Sequence, residues 1–527
     1  MAVKGNPWAV LVALCLGFFM TLLDTTVIGV AVPDILSQLG ITYNEVLWVS
    51  NAYVLVLAVL LIVGGRLGDL FGKRRMYLVG VAVFTVASLM CALAQDAPQL
   101  IAARSLQGLG AALLIPQTMS IIFMVFPAER RGSALGVWGA IAGLATIAGP
   151  PLGGFLVSAF GWRWIFTINV PIGLVVLATA PLIIPLFDKA PRAGRFDLRG
   201  TALLVAGLTC VTLGLQEGQR LEWNLTVQLL LVAGVALVVG FVLVERRPGG
   251  RQPLVPLTLF GNRNFSLMNT AAVTLSVGIM SMAIGFQLYA QTVLGMSALE
   301  AGAVNAPLSL MTVVLGPYAG RLTDSYGGKF IVLSGLSLFT AGVVLCGLTT
   351  GVDSAVWDFL PSLVVMGAGL GLTFAPLSAV AMHGVEPMSA GAASGMINAT
   401  RQFGSVLGTA GFGVLLQNQL VGSLSAHARA VAGDLPAEVR QGFVTGVEQA
   451  AGRGVDFDRL RDGTAVAVPD GASDETVRVI GDTAKRVFSG GFVDAFHTAL
   501  AFPVIALVIG VGCCLFVRVS RRSFVDV

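Results

Sequence analysis

The sequence predicts an all-α polytopic membrane protein with fourteen transmembrane helices, and three observations predict it. Of 527 residues, 56% are hydrophobic and only 11% are charged, against roughly 25% charged in an ordinary soluble domain. The apolar residues form continuous runs long enough for helices to cross about 30 Å of hydrocarbon. Lys and Arg gather in alternate connections between those runs, as in a chain threaded repeatedly through a bilayer. A soluble protein of this composition would expose apolar patches, and a barrel strand would alternate instead of running continuously.

The runs fall at 8–32, 46–65, 76–95, 99–126, 133–157, 164–187, 199–216, 226–244, 267–290, 301–321, 330–349, 357–382, 396–418 and 495–517. The first is too long for a signal-peptide core and ends without a small-residue cleavage site, so it is expected to stay as the first span. Orientation follows from charge. Arg66, Lys73, Arg74, Arg75, Arg130, Arg131, Lys189, Arg192, Arg195, Arg199, Arg246, Arg247, Arg251, Arg263, Arg321 and Lys329 lie on one side, with Lys4, Arg518, Arg521 and Arg522 at the ends. The short connections opposite carry only Arg163 and Arg220. Both termini are therefore expected in the cytoplasm.

One connection differs. Residues 419–494 form a long, slightly acidic segment on the outer side. Apolar residues recur at helical spacing in 431–450 and 476–488, which points to amphipathic helices or a hairpin on the outer face, with an unstructured loop as the alternative.

The chain echoes itself. Gly65-Arg66-Leu67-Gly68-Asp69 through Gly72-Lys73 follows the second run, and Gly320-Arg321-Leu322-Thr323-Asp324 through Gly327-Gly328-Lys329 follows the tenth. Repeated halves are a common plan for secondary transporters. An offset of eight spans implies two extra helices between the halves. The division expected is 1–190, an inserted pair over 191–264, and 265–527.

Several chemistries are excluded. At Gly72-Lys73 and Gly328-Lys329 the first glycine of a phosphate-binding loop is replaced by Leu67 and Thr323, and neither Lys precedes Ser or Thr. His383, His427 and His497 are scattered, without metal-ligand spacing. The six cysteines lie in apolar runs and read as small buried hydrophobes. A net charge of +4 is too weak to point to nucleic acid. The expectation is a non-enzymatic, cofactor-free machine driven by an ion gradient.

Ionisable residues inside a membrane mark function. Asp24 lies deep in the first span, Arg104 in the fourth and Arg401 in the thirteenth. Low dielectric favours the neutral form of a carboxyl, so Asp24 is the candidate proton carrier and Arg104 a candidate partner or helix clamp. Gly149-Pro150 with Gly153-Gly154 suits a hinge or seal in the fifth span, since proline removes a backbone hydrogen bond and glycines admit a neighbouring helix.

Together these stretches resemble the major facilitator superfamily. Gly65–Arg75 is similar to its loop 2–3 signature, Arg104 with Gln107 and Gly108 to its fourth-span signature, and Gly149-Pro150 with Gly153-Gly154 to its antiporter signature, with Ala145 where that motif has glycine. Leu23–Val27, Trp48–Tyr53, Gly161–Phe166, Asn169–Gly173 and Ser394–Gly404 are similar to motifs of the fourteen-span drug:proton antiporter branch. The resemblance implies two six-helix bundles, proton coupling through Asp24 and Arg104, and a cytoplasmic gate built from Gly65, Asp69, Gly72, Lys73, Arg74 and Asp324. It also implies a central drug cavity, for which Asn51, Tyr53, Trp138, Gln287, Tyr289, Gln291, Asn398, Arg401 and Gln402 are candidates. The extra carboxylates of dication exporters are missing from spans 10 and 13. The expectation is a monomeric, proton-coupled exporter of amphiphilic small molecules in a bacterial cytoplasmic membrane. The alternative is the same fold moving lipids or a single self-made antibiotic.

Overall fold

The structure, a computed structural model, describes residues 6–187, 195–218, 220–246, 251–435, 440–452 and 474–518. Lys4, Lys189, Arg192, Arg247, Arg521, Arg522 and the middle of the long connection lie outside the described residues.

Helices dominate. In chain order they are α1 (Pro7–Leu39), α2 (Tyr43–Phe71), α3 (Lys73–Leu93), α4 (Ala97–Val125), α5 (Arg131–Phe160), α6 (Trp164–Thr167), α7 (Asn169–Ile183), α8 (Leu198–Glu217), α9 (Leu225–Glu245) and α10 (Arg263–Thr292). There follow α11 (Ala298–Val304), α12 (Ala306–Tyr326), α13 (Gly328–Thr349), α14 (Leu360–Ala381), α15 (Ala390–Val431), α16 (Arg440–Gly452), α17 (Asp474–Ala499) and α18 (Ala501–Leu515). Local chemistry sets many ends. Asn6 caps α1 ahead of Pro7, and Thr42 with Glu45 closes a reciprocal cap on α2. Gly72 and Gly327 take left-handed φ values of 100° and 83° at equivalent turns, a conformation open to glycine at little cost.

Among the described residues, thirteen helices are long and apolar enough to cross a membrane. The expected thirteenth span, 396–418 within α15, is not one of them. Its run of Gly, Ser, Thr, Asn and Gln around Arg401 dilutes its apolarity. Elsewhere lipid is the natural solvent: Leu182 is 86% exposed and Leu348 79%, which water would penalise.

α15 also corrects the expected layout of the long connection. It continues as one helix to Val431, well past the expected end at 418. α17 runs back beside it, with Gly491 against Leu424 and Gly490 against the His427 ring. The described part of 419–494 is thus largely a helical hairpin, and α17 leads directly into α18.

Packing gathers α1–α7 on one side and α10–α18 on the other. These groups meet where α2 packs on α15 and α5 packs on α12 and α14. α8 and α9 pack mainly on each other, with α8 also touching α2 and α15. Their flanking linkers are tied by a two-residue parallel pairing, Arg195–Phe196 with Arg251–Gln252.

Candidate functional site

The structure gathers sequence-predicted site residues in three places: a buried polar cluster, a helix crossing beside it, and a pair of matched turns on the basic face.

The cluster forms where α1, α2, α3, α4 and α7 converge. Asp24 and Arg104, each with a side chain 1% exposed, form an ion pair. Arg104 also donates from Nε to the Val49 carbonyl at 3.1 Å and from a terminal nitrogen to Gln107 Oε1 at 2.7 Å. The amides of Gln107 and Asn169 donate to Asp24 Oδ1 at 2.8 and 3.2 Å, and Gln107 also reaches Ser88 Oγ at 2.8 Å. Tyr53 presents its ring face to the guanidinium, 4.5 Å from centroid to carbon. A buried pair is sustained when its remaining lone pairs and protons are satisfied this way. Tyr53, expected in the cavity, is buried here against the Arg104 guanidinium. Ser88 was missed, because a serine within an apolar run carries no motif.

Just beyond Asp24 along α1, Thr26 and Val27 meet α5. A methyl group added to Gly149 would lie 2.1 Å from Thr26 Oγ1, and one added to Gly153 would lie 2.9 Å from Val27 Cγ1. Gly154 has only Val30 Cγ1 nearby, at 4.0 Å. Close approach therefore requires Gly149 and Gly153. Pro150 and Pro151 sit inside a continuous α5.

The matched turns occupy the basic face. Asp69, in the last turn of α2, accepts the backbone N–H groups of Gly391 and Ala392 at 2.9 Å each. Asp324, near the end of α12, accepts those of Gly132 and Ser133 at 2.7 and 2.8 Å, and the Ser133 hydroxyl at 2.6 Å. Each carboxylate thus caps the first turn of a helix in the opposite group, where N–H groups are free and the helix dipole favours a negative charge. A methyl on Gly65 would lie 2.2 Å from the Gly391 carbonyl oxygen, and one on Gly320 would lie 2.2 Å from that of Gly132. The turns differ in charge, since Lys73 pairs with Asp69 whereas Lys329 reaches the Leu515 carbonyl. Arg74, expected at this gate, instead donates to the Pro181 carbonyl at the end of α7.

The remaining cavity candidates divide. Tyr289 is buried, donates to the Gly351 carbonyl at 2.7 Å and stacks on Phe496. These contacts all lie within the second group. Trp138 is buried and stacks on Phe18, with its centroid 5.8 Å from that of Phe374. Arg401 is 8% exposed and reaches Ser378 Oγ at 2.8 Å and the Phe374 carbonyl at 3.3 Å on α14. Asn398 bonds back to the Ser394 carbonyl at 2.9 Å. Asn51, Gln287, Gln291 and Gln402 are half-buried.

Comparison with known proteins agrees with this architecture. The sequence profile of the Major Facilitator Superfamily matches residues 14–409. The chain is 38% identical to an uncharacterized MFS-type transporter of Mycobacterium tuberculosis, over 84% of this chain and 78% of that protein. It is 34% identical to a probable actinorhodin transporter of Streptomyces coelicolor, over 92% and 84%. It is also 34% identical to the multidrug resistance protein Stp of Mycobacterium tuberculosis, over 79% and 77%. Among solved structures, the human organic anion transporter MFSD10 aligns with a TM-score of 0.58 at 12% identity, covering 96% of this chain and all of that one. With profile, relatives and fold in agreement, the chain belongs to the Major Facilitator Superfamily and is a multi-span membrane transporter.

Proposed function

We propose that the protein is a proton-coupled exporter of amphiphilic drugs or antibiotics in a bacterial cytoplasmic membrane, working by alternating access between two six-helix halves. In this reading α15 supplies the thirteenth crossing and so brings the total to fourteen, α8 and α9 are the inserted pair, and the basic face with both termini is cytoplasmic. Relatives named for drug resistance and antibiotic transport support the substrate class.

The observation that carries the reading is the enclosed Asp24–Arg104 pair. Protonating Asp24 removes the counter-charge of a buried guanidinium, and a broken buried pair costs on the order of 3–5 kcal/mol. Proton uptake therefore requires α1 and α4 to part, or water to enter. Thr26 and Val27, seated on Gly149 and Gly153, pass any shift of α1 to α5. The first turn of α5 is held by Asp324, so the shift reaches the cytoplasmic gate. A proton entering down a potential of 100 mV supplies about 2.3 kcal/mol, a useful fraction of the pair energy.

The test is a panel of fluorescent amphiphiles in a pump-deficient bacterial host, followed by proteoliposomes with an imposed pH gradient. Wild type should lower accumulation of at least one compound, uncoupler should abolish the effect, and Asp24→Asn should lose it. Full pH-driven transport by Asp24→Asn would remove Asp24 from the mechanism.

A further inference from the structure

Arg401 is a buried charge on α15 that the proton and gate sites do not use. It is 8% exposed, and only one terminal nitrogen is occupied, by Ser378 Oγ and the Phe374 carbonyl. Its Nε and its other terminal nitrogen are buried without a hydrogen-bond partner. No carboxylate pairs with it among the described residues. A guanidinium stays protonated and can only donate. Leaving such a charge enclosed and unpaired is strongly unfavourable. Arg104 shows the contrast, with a carboxylate, an amide and a carbonyl around the same group.

A second unpartnered donor lies on the same aromatic ring. The Arg401 guanidinium carbon sits 4.2 Å from the Phe374 centroid. Trp138, on α5, packs against that ring, and its indole Nε1 is also buried without a partner. Trp138 in turn stacks on Phe18 at 4.4 Å. Two free donors from opposite helix groups thus flank one aromatic platform. Both want an acceptor, one wants a negative charge, and the surroundings are flat and apolar.

We propose that Arg401, Phe374 and Trp138 form a binding site for the carboxylate-bearing aromatic portion of an anionic substrate. The carboxylate takes the free N–H groups of Arg401, as guanidinium geometry allows two parallel hydrogen bonds. The indole N–H takes a further acceptor on the substrate, and the ring system lies against Phe374 and Trp138. Access opens as α5 separates from α14, the movement that alternating access requires. The apolar platform favours an organic anion over a hydrated inorganic ion. This site deepens the export reading, on which it rests, by naming acidic aromatic amphiphiles as the preferred class.

The test measures binding by the purified full chain in detergent, without any gradient, so that it is independent of export. The probes are 1-pyrenebutyrate and its uncharged methyl ester, followed by fluorescence. Wild type should bind the acid at least about tenfold more tightly than the ester, since only the acid offers Arg401 a charge-assisted hydrogen bond. Arg401→Gln should bring the acid to the affinity of the ester, and Arg401→Lys should keep part of the preference. Trp138→Phe, which retains the ring but removes its donor, should weaken the acid by a smaller factor. Thr179→Ala, on α7 with its hydroxyl bonded to the Val175 carbonyl of its own helix, should keep the preference. Equal or absent binding of acid and ester to wild type, or a preference that survives Arg401→Gln, overturns the proposal. Displacement of the acid by equimolar chloride would assign the site to an inorganic ion and overturn it as well. A clear preference in a protein that exports nothing would leave the site standing and sink the exporter reading instead.

Discussion

Asp69 accepts the backbone N–H of Gly391 at 2.9 Å, across 322 residues of chain. Asp324 does the same for Gly132 at 2.7 Å in the reverse direction. The two helix groups are therefore latched twice on one face, each by a carboxylate of its own repeated turn on a helix start of the other.

If these latches hold the basic face closed, removing one should loosen the helix it caps. Loss of an N-terminal cap typically costs about 1 kcal/mol. Asp69→Ala should speed amide hydrogen exchange at Gly391 and Ala392 by about fivefold or more, as 1 kcal/mol implies, and should lower transport. Asp324→Ala should do so at Gly132 and Ser133. Exchange that is unchanged at the capped turn in either variant would show that the bonds do not hold the gate.

The glycines beside Thr26 and Val27 make a sharper comparison. Gly149→Ala places a methyl 2.1 Å from Thr26 Oγ1, whereas Gly154→Ala meets only Val30 Cγ1 at 4.0 Å. Overpacking of this kind costs about 1–3 kcal/mol. Gly149→Ala should lower the melting temperature in detergent and cut transport, while Gly154→Ala should match wild type in both. Equal behaviour of the two variants would mean that the α1–α5 contact is not the tight one.

The buried pair predicts strong non-additivity. Asp24→Asn leaves Arg104 without a counter-charge, and Arg104→Gln leaves Asp24 without one. Each single variant should destabilise the protein by about 3–5 kcal/mol. The double variant should be less destabilised than the sum by at least about 1 kcal/mol, within the range for directly coupled residues. Thermal or denaturant unfolding in one detergent gives the cycle, and additive effects would mean that the two groups do not share a stabilising interaction.

Much of this protein was legible before folding. Continuous apolar runs set the helices, because hydrocarbon demands internally bonded backbone along the whole crossing. The repeated turns announced two related halves, and Asp24 and Arg104 stood out because charge is costly there. α15 was the least legible helix: its polar and small residues blur the apolar signal, and its extension to Val431 is stabilised by packing on α17, which hydropathy does not see.

By itself, then, the sequence determined the membrane-spanning helices, the basic face and the residue types available for chemistry, since these depend on local transfer energies and local turn geometry. Only the tertiary structure decided which groups meet. It brought Ser88, Gln107 and Asn169 around Asp24, drew Tyr53 and Tyr289 into packing, moved Arg74 to α7, and left Arg401 with free donors beside Trp138. The physical reason is rotation and distance. A helix that is apolar nearly all round does not specify which face meets its neighbour, and that choice is made by close contacts such as Gly65 on Gly391 and Gly149 on Thr26.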